Sequence, residues 1–216
     1  LETGEKMSVS DLLKGIIIGN ANDACIVFAE KISGSEKDFV KLMNQKAKEL
    51  GMKNTIFTDC KGTGEGKQYS TAYDISLLSK ELIKYDFLAP YMTTYMDELR
   101  NGATQLVNTN TLVKTYDGIL GIKAGYSEKS GYSISAAAKR GDSVFISIII
   151  GCDEKEDCIK KGKNLLDKGF SSYETIRPAV PKELLNGVKV KSGTAKIVLA
   201  KPEFLSETTI PIGCSG

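Results

Sequence analysis

A chain of 216 residues, 41% hydrophobic and 26% charged, has the length and composition of one sizeable folded domain with at most a small appendage. Its net charge of +2 comes from 29 basic and 27 acidic residues spread along the chain, with no basic run interleaved with aromatics, which argues against nucleic acid as a partner. Histidine is absent, which excludes Ser-His-Asp and Cys-His catalysis and histidine-built zinc sites. Any proton transfer near neutral pH must then pass through lysine, a carboxylate, tyrosine or solvent. The apolar runs 16–18 and 144–150 are far too short to span a bilayer. The 5 cysteines (Cys25, Cys60, Cys152, Cys158, Cys214) form no CxxC pair and are odd in number, a pattern that suits reduced or separately buried thiols better than a metal framework.

Residues 8–19 read as a short helix, with Ser8 and Asp11 in capping-box spacing. A second helix starts at Asn22 and places Cys25, Phe28, Ala29 and Ile32 on one apolar face, and Gly34 ends it. Ser35 and Asp38 open a third, with Phe39, Leu42, Met43 and Leu50 on its apolar side and Gly51 closing it. A glycine-punctuated loop spans about 52–69, and Thr71 and Asp74 open a fourth helix carrying Ile75, Leu78 and Leu82. After Pro90 the helical pattern loosens and the period changes. Residues 121–125, 131–139 and 143–151 read as strands, the last two joined by a hairpin at Arg140-Gly141-Asp142. The run 144–150, apolar except at Ser147, predicts a central strand covered on both faces. A helix over about 154–168, with Leu165 and Leu166 and closed by Gly169, would cover one face. Beyond RPAVP (177–181), the segment VKVKSGTAKIVLAK suggests a β hairpin of a second unit, although the residues left are too few to bury a core alone.

Four stretches carry candidate chemistry. KGTGEGK (61–67) lacks the Ser/Thr that follows the Gly-Lys of a phosphate loop and has no preceding strand, so it reads as an ordinary loop. NTNT (108–111) reads as turn chemistry. NAND (20–23) sets two carboxamides and a carboxylate between apolar runs, either to cap the helix that follows or to face a cleft. GIKAG (121–125) puts Lys123 in a strand bracketed by glycines, which fits either a solvated edge strand or a site where another chain approaches closely.

Taken together, SVSDLLKGIIIGNANDAC, FVKLMNQKAKELGMKNTIFTDCKGTG, QYSTAYDISLLSKELI, GILGIKAGYSEKSGYSISAAAKRG and NLLDKGFSSYET resemble the serine D-alanyl-D-alanine carboxypeptidases, the low-molecular-weight penicillin-binding proteins. The resemblance covers about residues 1–175 in continuous order. It implies an α/β (α+β) penicillin-binding or β-lactamase-like transpeptidase fold, an antiparallel sheet with flanking helices and a helical subdomain. Residues 1–176 would form the carboxypeptidase-like domain, and 177–216 the beginning of a β-rich C-terminal domain.

The resemblance also implies chemistry that needs no histidine, cofactor or metal. An acyl-serine forms at a Ser-x-x-Lys motif, a Ser-x-Asn motif relays a proton and positions substrate, and a Lys-Thr-Gly strand binds the substrate carboxylate. Asn22 matches the asparagine of Ser-x-Asn, and Lys123 and Gly125 match the lysine and glycine of Lys-Thr-Gly. Asn20 stands at the serine position and Ala124 at the threonine position. Asp23 begins the helix, where its charge suits the N-terminal dipole. The stretches Ser10-x-x-Leu13, Ser76-x-x-Ser79, Ser127-x-x-Ser130 and Ser130-x-x-Ser133 do not match Ser-x-x-Lys, and the chain opens on Leu1 after the point where that motif is expected. The chain is therefore expected to be part of a longer, extracytoplasmic gene product. Its implied partners are the D-Ala-D-Ala ends of peptidoglycan stem peptides, with β-lactams as further ligands. A non-catalytic homologue that binds such peptides, or a protein partner, is the alternative.

Overall fold

The structure, a computed structural model, describes residues 1–63, 67–176, 188–189, 191, 197–198 and 207–213. Side-chain caps set where the first helices begin. Ser8 Oγ accepts from the Asp11 amide at 3.0 Å and opens α1 (Val9–Ile17). α2 (Asn22–Ser33) closes at Gly34, whose φ of +77° is left-handed, a conformation that glycine adopts without a Cβ penalty. Ser35 Oγ accepts from the Asp38 amide at 3.1 Å and opens α3 (Glu36–Glu49). Thr71 Oγ1 does the same for Asp74 at 3.1 Å, at the start of α4 (Ala72–Leu82).

The apolar faces are narrower than the periodicity predicts. α2 packs against α1 and α3 and buries Ala24 and Ala29, which turns Ile32 out to 58% exposure. Leu42 on α3 is likewise exposed. Small residues at a helix contact let the backbones approach and leave a larger neighbour at the rim. Asp74 is fully buried and accepts from the Asn54 amide and from Thr55 Oγ1, both at 2.7 Å, so the loop after α3 is held to the start of α4.

Where the sequence loses its period, the chain forms α5 (Ala89–Met92), then an antiparallel hairpin of β1 (Met96–Leu99) and β2 (Thr104–Val107), then α6 (Leu112–Thr115). The hairpin joins the helical half through buried Leu99 and Leu106, which cluster with Ile18. Two ion pairs reinforce it. Lys14 Nζ lies 3.0 Å from Asp97 Oδ1, and Arg100 grips Glu5 with two N–H donors at 2.7 and 2.9 Å.

The central sheet is three-stranded and antiparallel, in the order β3 (Ile119–Ser127), β4 (Gly131–Arg140), β5 (Ser143–Cys152). The run 144–150, expected to be central, lies in β5. Among the described residues β5 is an edge strand, with Val144 39% and Ile150 44% exposed. The middle strand is β4, whose Ala136, Ala137 and Ala138 have no exposed surface. A largely apolar run signals contact on both faces, but says nothing about which strand has two neighbours.

α7 (Lys155–Ser172) covers one face and α4 the other. α7 runs on through Gly169 instead of ending there. A Cβ at that position would lie 2.9 Å from Phe145 Cγ, so the glycine serves close packing on β5 rather than helix termination. On the same helix Leu166 is buried and Leu165 is 45% exposed. Further on, β6 (Tyr173–Ile176) pairs with β9 (Thr208–Pro211), and β7 (Val188–Lys189) pairs with β8 (Ile197–Val198), both antiparallel. The β7–β8 pair falls within the hairpin expected in VKVKSGTAKIVLAK; RPAVP and Cys214 lie outside the described residues.

The hydroxyls of Ser79 on α4 and Ser135 on β4 are both buried and 2.8 Å apart. Ser79→Ala or Ser135→Ala alone leaves one hydroxyl unpaired and is expected to cost about 1–3 kcal/mol, whereas the double substitution costs clearly less than the sum. Urea unfolding of the four proteins measures the coupling, and strict additivity would contradict it.

Candidate active site

A cavity of about 620 Å³ opens between the α1–α2 turn and β3. Ile16, Ile17, Leu88, Met92 and Ile122 form its apolar wall, and Asn20, Asn22, Cys25, Lys123 and Gly125 are among its other lining residues. The residues singled out from NAND and GIKAG therefore meet in one place, although about a hundred positions separate them in sequence.

The NAND turn does not cap α2 through a side chain. Ala21 occupies the N-cap without a side-chain hydrogen bond, Asn22 is the first helical residue, and Asp23 lies in the first turn with its Oδ1 2.8 Å from the Ala24 amide. This leaves the Asn22 side chain available to the cavity. Asn20 has a φ of +55°, a left-handed conformation that asparagine tolerates better than most residues. Its Nδ2 donates to Thr109 Oγ1 at 3.3 Å, and Thr109 Oγ1 donates to the Ala124 carbonyl at 2.6 Å. A hydrogen-bonded chain thus crosses from the α1–α2 turn to β3.

Thr109 is the residue that sequence reasoning passed over. NTNT is turn chemistry as expected: Asn108 Oδ1 accepts from the Asn110 amide at 2.9 Å, and Asn110 Oδ1 from the Leu112 amide at 3.2 Å. Both asparagines are buried, and Asn108 Nδ2 also donates to the Thr94 carbonyl at 3.0 Å. The turn they build holds Thr109 against β3. The pattern of two asparagines flanking a threonine carried that signal, but its target lies 15 residues away.

β3 approaches the cavity through a strained step. The pairing with β4 slips between Ile119 and Gly121, Gly121 has a φ of +84°, and Ile122 has a φ of +92°. A left-handed β-branched residue is disfavoured by about 1–3 kcal/mol. A Cβ on Gly121 would lie 2.1 Å from the Met92 carbonyl oxygen, so α5 packs directly on strand backbone there. Past this step, Lys123 Nζ donates to the Ile16 and Ile17 carbonyls at 2.7 and 2.6 Å, at the C-terminal end of α1, where a cation suits the helix dipole. Burial nevertheless holds the Lys123 ammonium down at about 8, with the neighbouring Cys25 opposing the shift. Burial pushes the Cys25 thiol up, and the Cys60 thiol, which also donates to Glu36, up to about 12.

The loop at 61–63 offers no anion cradle. Asp59 Oδ1 already accepts from the amides of Lys61, Gly62 and Thr63 at 2.9, 2.5 and 3.2 Å. Among the described residues no group of three or more Cys, Asp or Glu side chains is arranged to hold a metal ion.

Two outcomes follow from this geometry. Gly121→Ala meets both the Met92 carbonyl and an unfavourable φ, so it is expected to cost at least about 2 kcal/mol of stability. Gly125→Ala, with nothing within 4 Å of its added Cβ, should cost under about 1 kcal/mol in the same denaturation experiment. For Lys123, the unfolded chain holds its proton up to about 10.5 and the folded one only to about 8, so the unfolded state binds more protons between those values. The burial penalty is complete below about pH 8 and is relieved as pH rises towards 10.5. Relative to Lys123→Met, the native chain should therefore gain up to about 3 kcal/mol across that window, read as the pH dependence of the difference in unfolding free energy. A flat difference would contradict the burial of the ammonium.

The model of the D-alanyl-D-alanine carboxypeptidase family matches residues 1–154. The chain is 43% identical over 201 residues to D-alanyl-D-alanine carboxypeptidase DacF of Bacillus subtilis, covering 92% of this chain and 52% of that protein. It is 34% identical over 214 residues to DacC of Escherichia coli, covering 99% and 53%. Among solved structures it superimposes on penicillin binding protein 5 from Haemophilus influenzae with a TM-score of 0.86 and 27% identity, over 99% of this chain and 62% of the other. It also matches penicillin-binding protein D2 from Listeria monocytogenes, in a cefotaxime-bound form, with a TM-score of 0.71 and 32% identity over 78% and 68%. The chain spans about half the length of the two curated relatives. With an antiparallel sheet between helices and these matches, it has the penicillin-binding protein fold and belongs to the D-alanyl-D-alanine carboxypeptidase family.

Proposed function

We propose that residues 1–176 supply the substrate cleft of an extracytoplasmic serine-type carboxypeptidase that removes the terminal D-alanine of peptidoglycan stem peptides, and that 177–216 begin a β-rich C-terminal domain. The observation that carries this reading is the convergence of Asn20, Asn22, Lys123 and Gly125, from two motifs far apart in sequence, on one cavity. The acyl-accepting serine and its lysine base lie outside these 216 residues in this reading. What this chain contributes is positioning. The Asn22 amide is placed to bond a peptide group, and the Lys123 ammonium keeps one N–H beyond the two given to the α1 carbonyls.

Asn20 and Ala124 would slow the chemistry. An amide at position 20 cannot relay a proton as a hydroxyl does, and it is engaged with Thr109. Alanine at 124 offers no hydroxyl to an incoming carboxylate. Losing one positioned proton-transfer or oxyanion-type group costs about 10²–10⁴ in rate. The penicillin-binding protein D2 structures with ampicillin and cefotaxime bound make β-lactams the natural probe.

The test is the intact mass of the native protein, as its gene encodes it in full, before and after benzylpenicillin. One penicilloyl adduct per chain is expected, and Asn20→Ser with Ala124→Thr should speed its formation at least about 10²-fold. A protein that takes no adduct in either form is a binding homologue without hydrolytic chemistry.

A further inference from the structure

Two of the cysteines meet in the core between β5 and α7, although their spacing shows no CxxC pattern. Cys152 ends β5 and Cys158 lies in the first turn of α7, with only Asp153 and Glu154 between the two elements. Cys152 is opposite Tyr132 in the β4–β5 ladder, so its side chain projects on the face that carries the Tyr132 ring. The Cys158 amide donates to the Glu154 carbonyl at 3.1 Å and closes the first turn of the helix. Helix side chains lean towards the N-terminus, which here is the end of β5. Both cysteines belong to one buried cluster with Leu112, Ala124, Ile134 and Leu166, and only 5% of Cys152 and 2% of Cys158 is exposed. Within it the two thiols are hydrogen-bonded to one another.

The other described thiols are placed differently. Cys60 donates to Glu36, and Cys25 lines the main cavity beside Lys123. Cys158 instead forms part of the wall of a pocket of about 350 Å³ between β3 and the start of α7, with Tyr126, Tyr132, Ile134 and Lys155. Burial, together with the hydrogen bond to Cys152, pushes the Cys158 thiol up to about 12. Almost none of it is therefore the thiolate that attacks a disulfide at neutral pH, and in the finished fold the reduced pair exchanges slowly. A bond already made there is shielded in the same way. The opportunity to make it comes earlier, because the two residues are near neighbours in the chain. They meet once the turn from β5 to α7 forms, before contacts between distant segments close.

We propose that Cys152 and Cys158 are a disulfide-forming site: the chain joins them as it folds, and the bond ties the first turn of α7, one wall of that pocket, to the end of β5. The step is exchange with an external disulfide, either a low-molecular-weight one or one carried by a protein. One cysteine thiolate attacks that disulfide and releases a first thiol. The second cysteine attacks the mixed disulfide and releases the other. Two S–H bonds are lost and one S–S bond forms, while the oxidant's S–S bond is reduced to two thiols. Such bonds persist in oxidising compartments, so the proposal rests on the extracytoplasmic reading given above.

The experiment isolates the complete gene product with its free thiols blocked by N-ethylmaleimide and digests it with trypsin in the absence of reductant. Cleavage after Lys155 separates the two cysteines, so a disulfide between them holds residues 141–155 to 156–160. That joined fragment is expected, and dithiothreitol should part it. A second sample is reduced, exposed to oxidised glutathione at its urea midpoint and mapped in the same way, and the joined fragment should again dominate. The oxidised chain should have a folding equilibrium constant about tenfold above that of the reduced one, read from urea unfolding of the two forms. If neither sample holds the joined fragment, because both cysteines are blocked, carry glutathione or are bonded to Cys25, Cys60 or Cys214, the pairing is overturned. A joined fragment in the second sample alone overturns the extracytoplasmic reading and leaves the pairing standing. Neither result touches the reading of the cleft, which the benzylpenicillin adduct decides.

Discussion

Ala136, Ala137 and Ala138 in the middle of β4 are the constraint on which the rest of the domain depends. A strand with a helix on each face has room for large side chains only where the helix stands away from it. Here α4 and α7 both come close, and methyl groups fill the space between layers. The same economy recurs on the facing elements. Gly162 of α7 sits over Ile134, Ser147 of β5 donates to the Gly162 carbonyl at 2.9 Å, and Ser79 of α4 meets Ser135. The two serine contacts satisfy buried hydroxyls at the points of closest approach.

That packing reaches the cleft through strand register. Lys123 lies opposite Ser135, and residues directly opposite in an antiparallel pair project on the same face. Because Ser135 points to α4, Lys123 emerges on that side and Ala124 on the α7 side. A slip of one residue would exchange them. The bulge at Ile119–Gly121 and the contact between Gly121 and Met92 pin the register just before the lysine. The unfavourable φ of Ile122 is held in place between these two anchors.

Local chemistry was the legible part of the sequence. The serine and threonine caps at 8, 35 and 71 and the hairpin at 140–142 act within three or four residues, so their spacing is written in the chain. The cleft was legible for a different reason. NAND and GIKAG resemble motifs of a known family, which brings them together before any contact is seen. What stayed hidden depends on partners distant in sequence. β1 and β2 bury little beyond Leu99 and Leu106, and their stability comes from Ile18, Lys14 and Glu5 across the fold. Gly169 reads as a helix stop until Phe145 is seen against it. The placement of β5 at an edge, of Thr109 against Ala124 and of Lys155 at a pocket likewise depends on tertiary neighbours that no local period encodes.

The pairing of Tyr126 with Tyr132 has an optical consequence. The chain contains no tryptophan and 9 tyrosines, so its near-ultraviolet emission is that of tyrosine alone, without a stronger indole signal to mask it. Two of those phenols line a pocket of about 350 Å³ between β3 and α7, at 41° to one another. Any molecule that displaced solvent from this ring pair would therefore alter the chain's emission with no label attached.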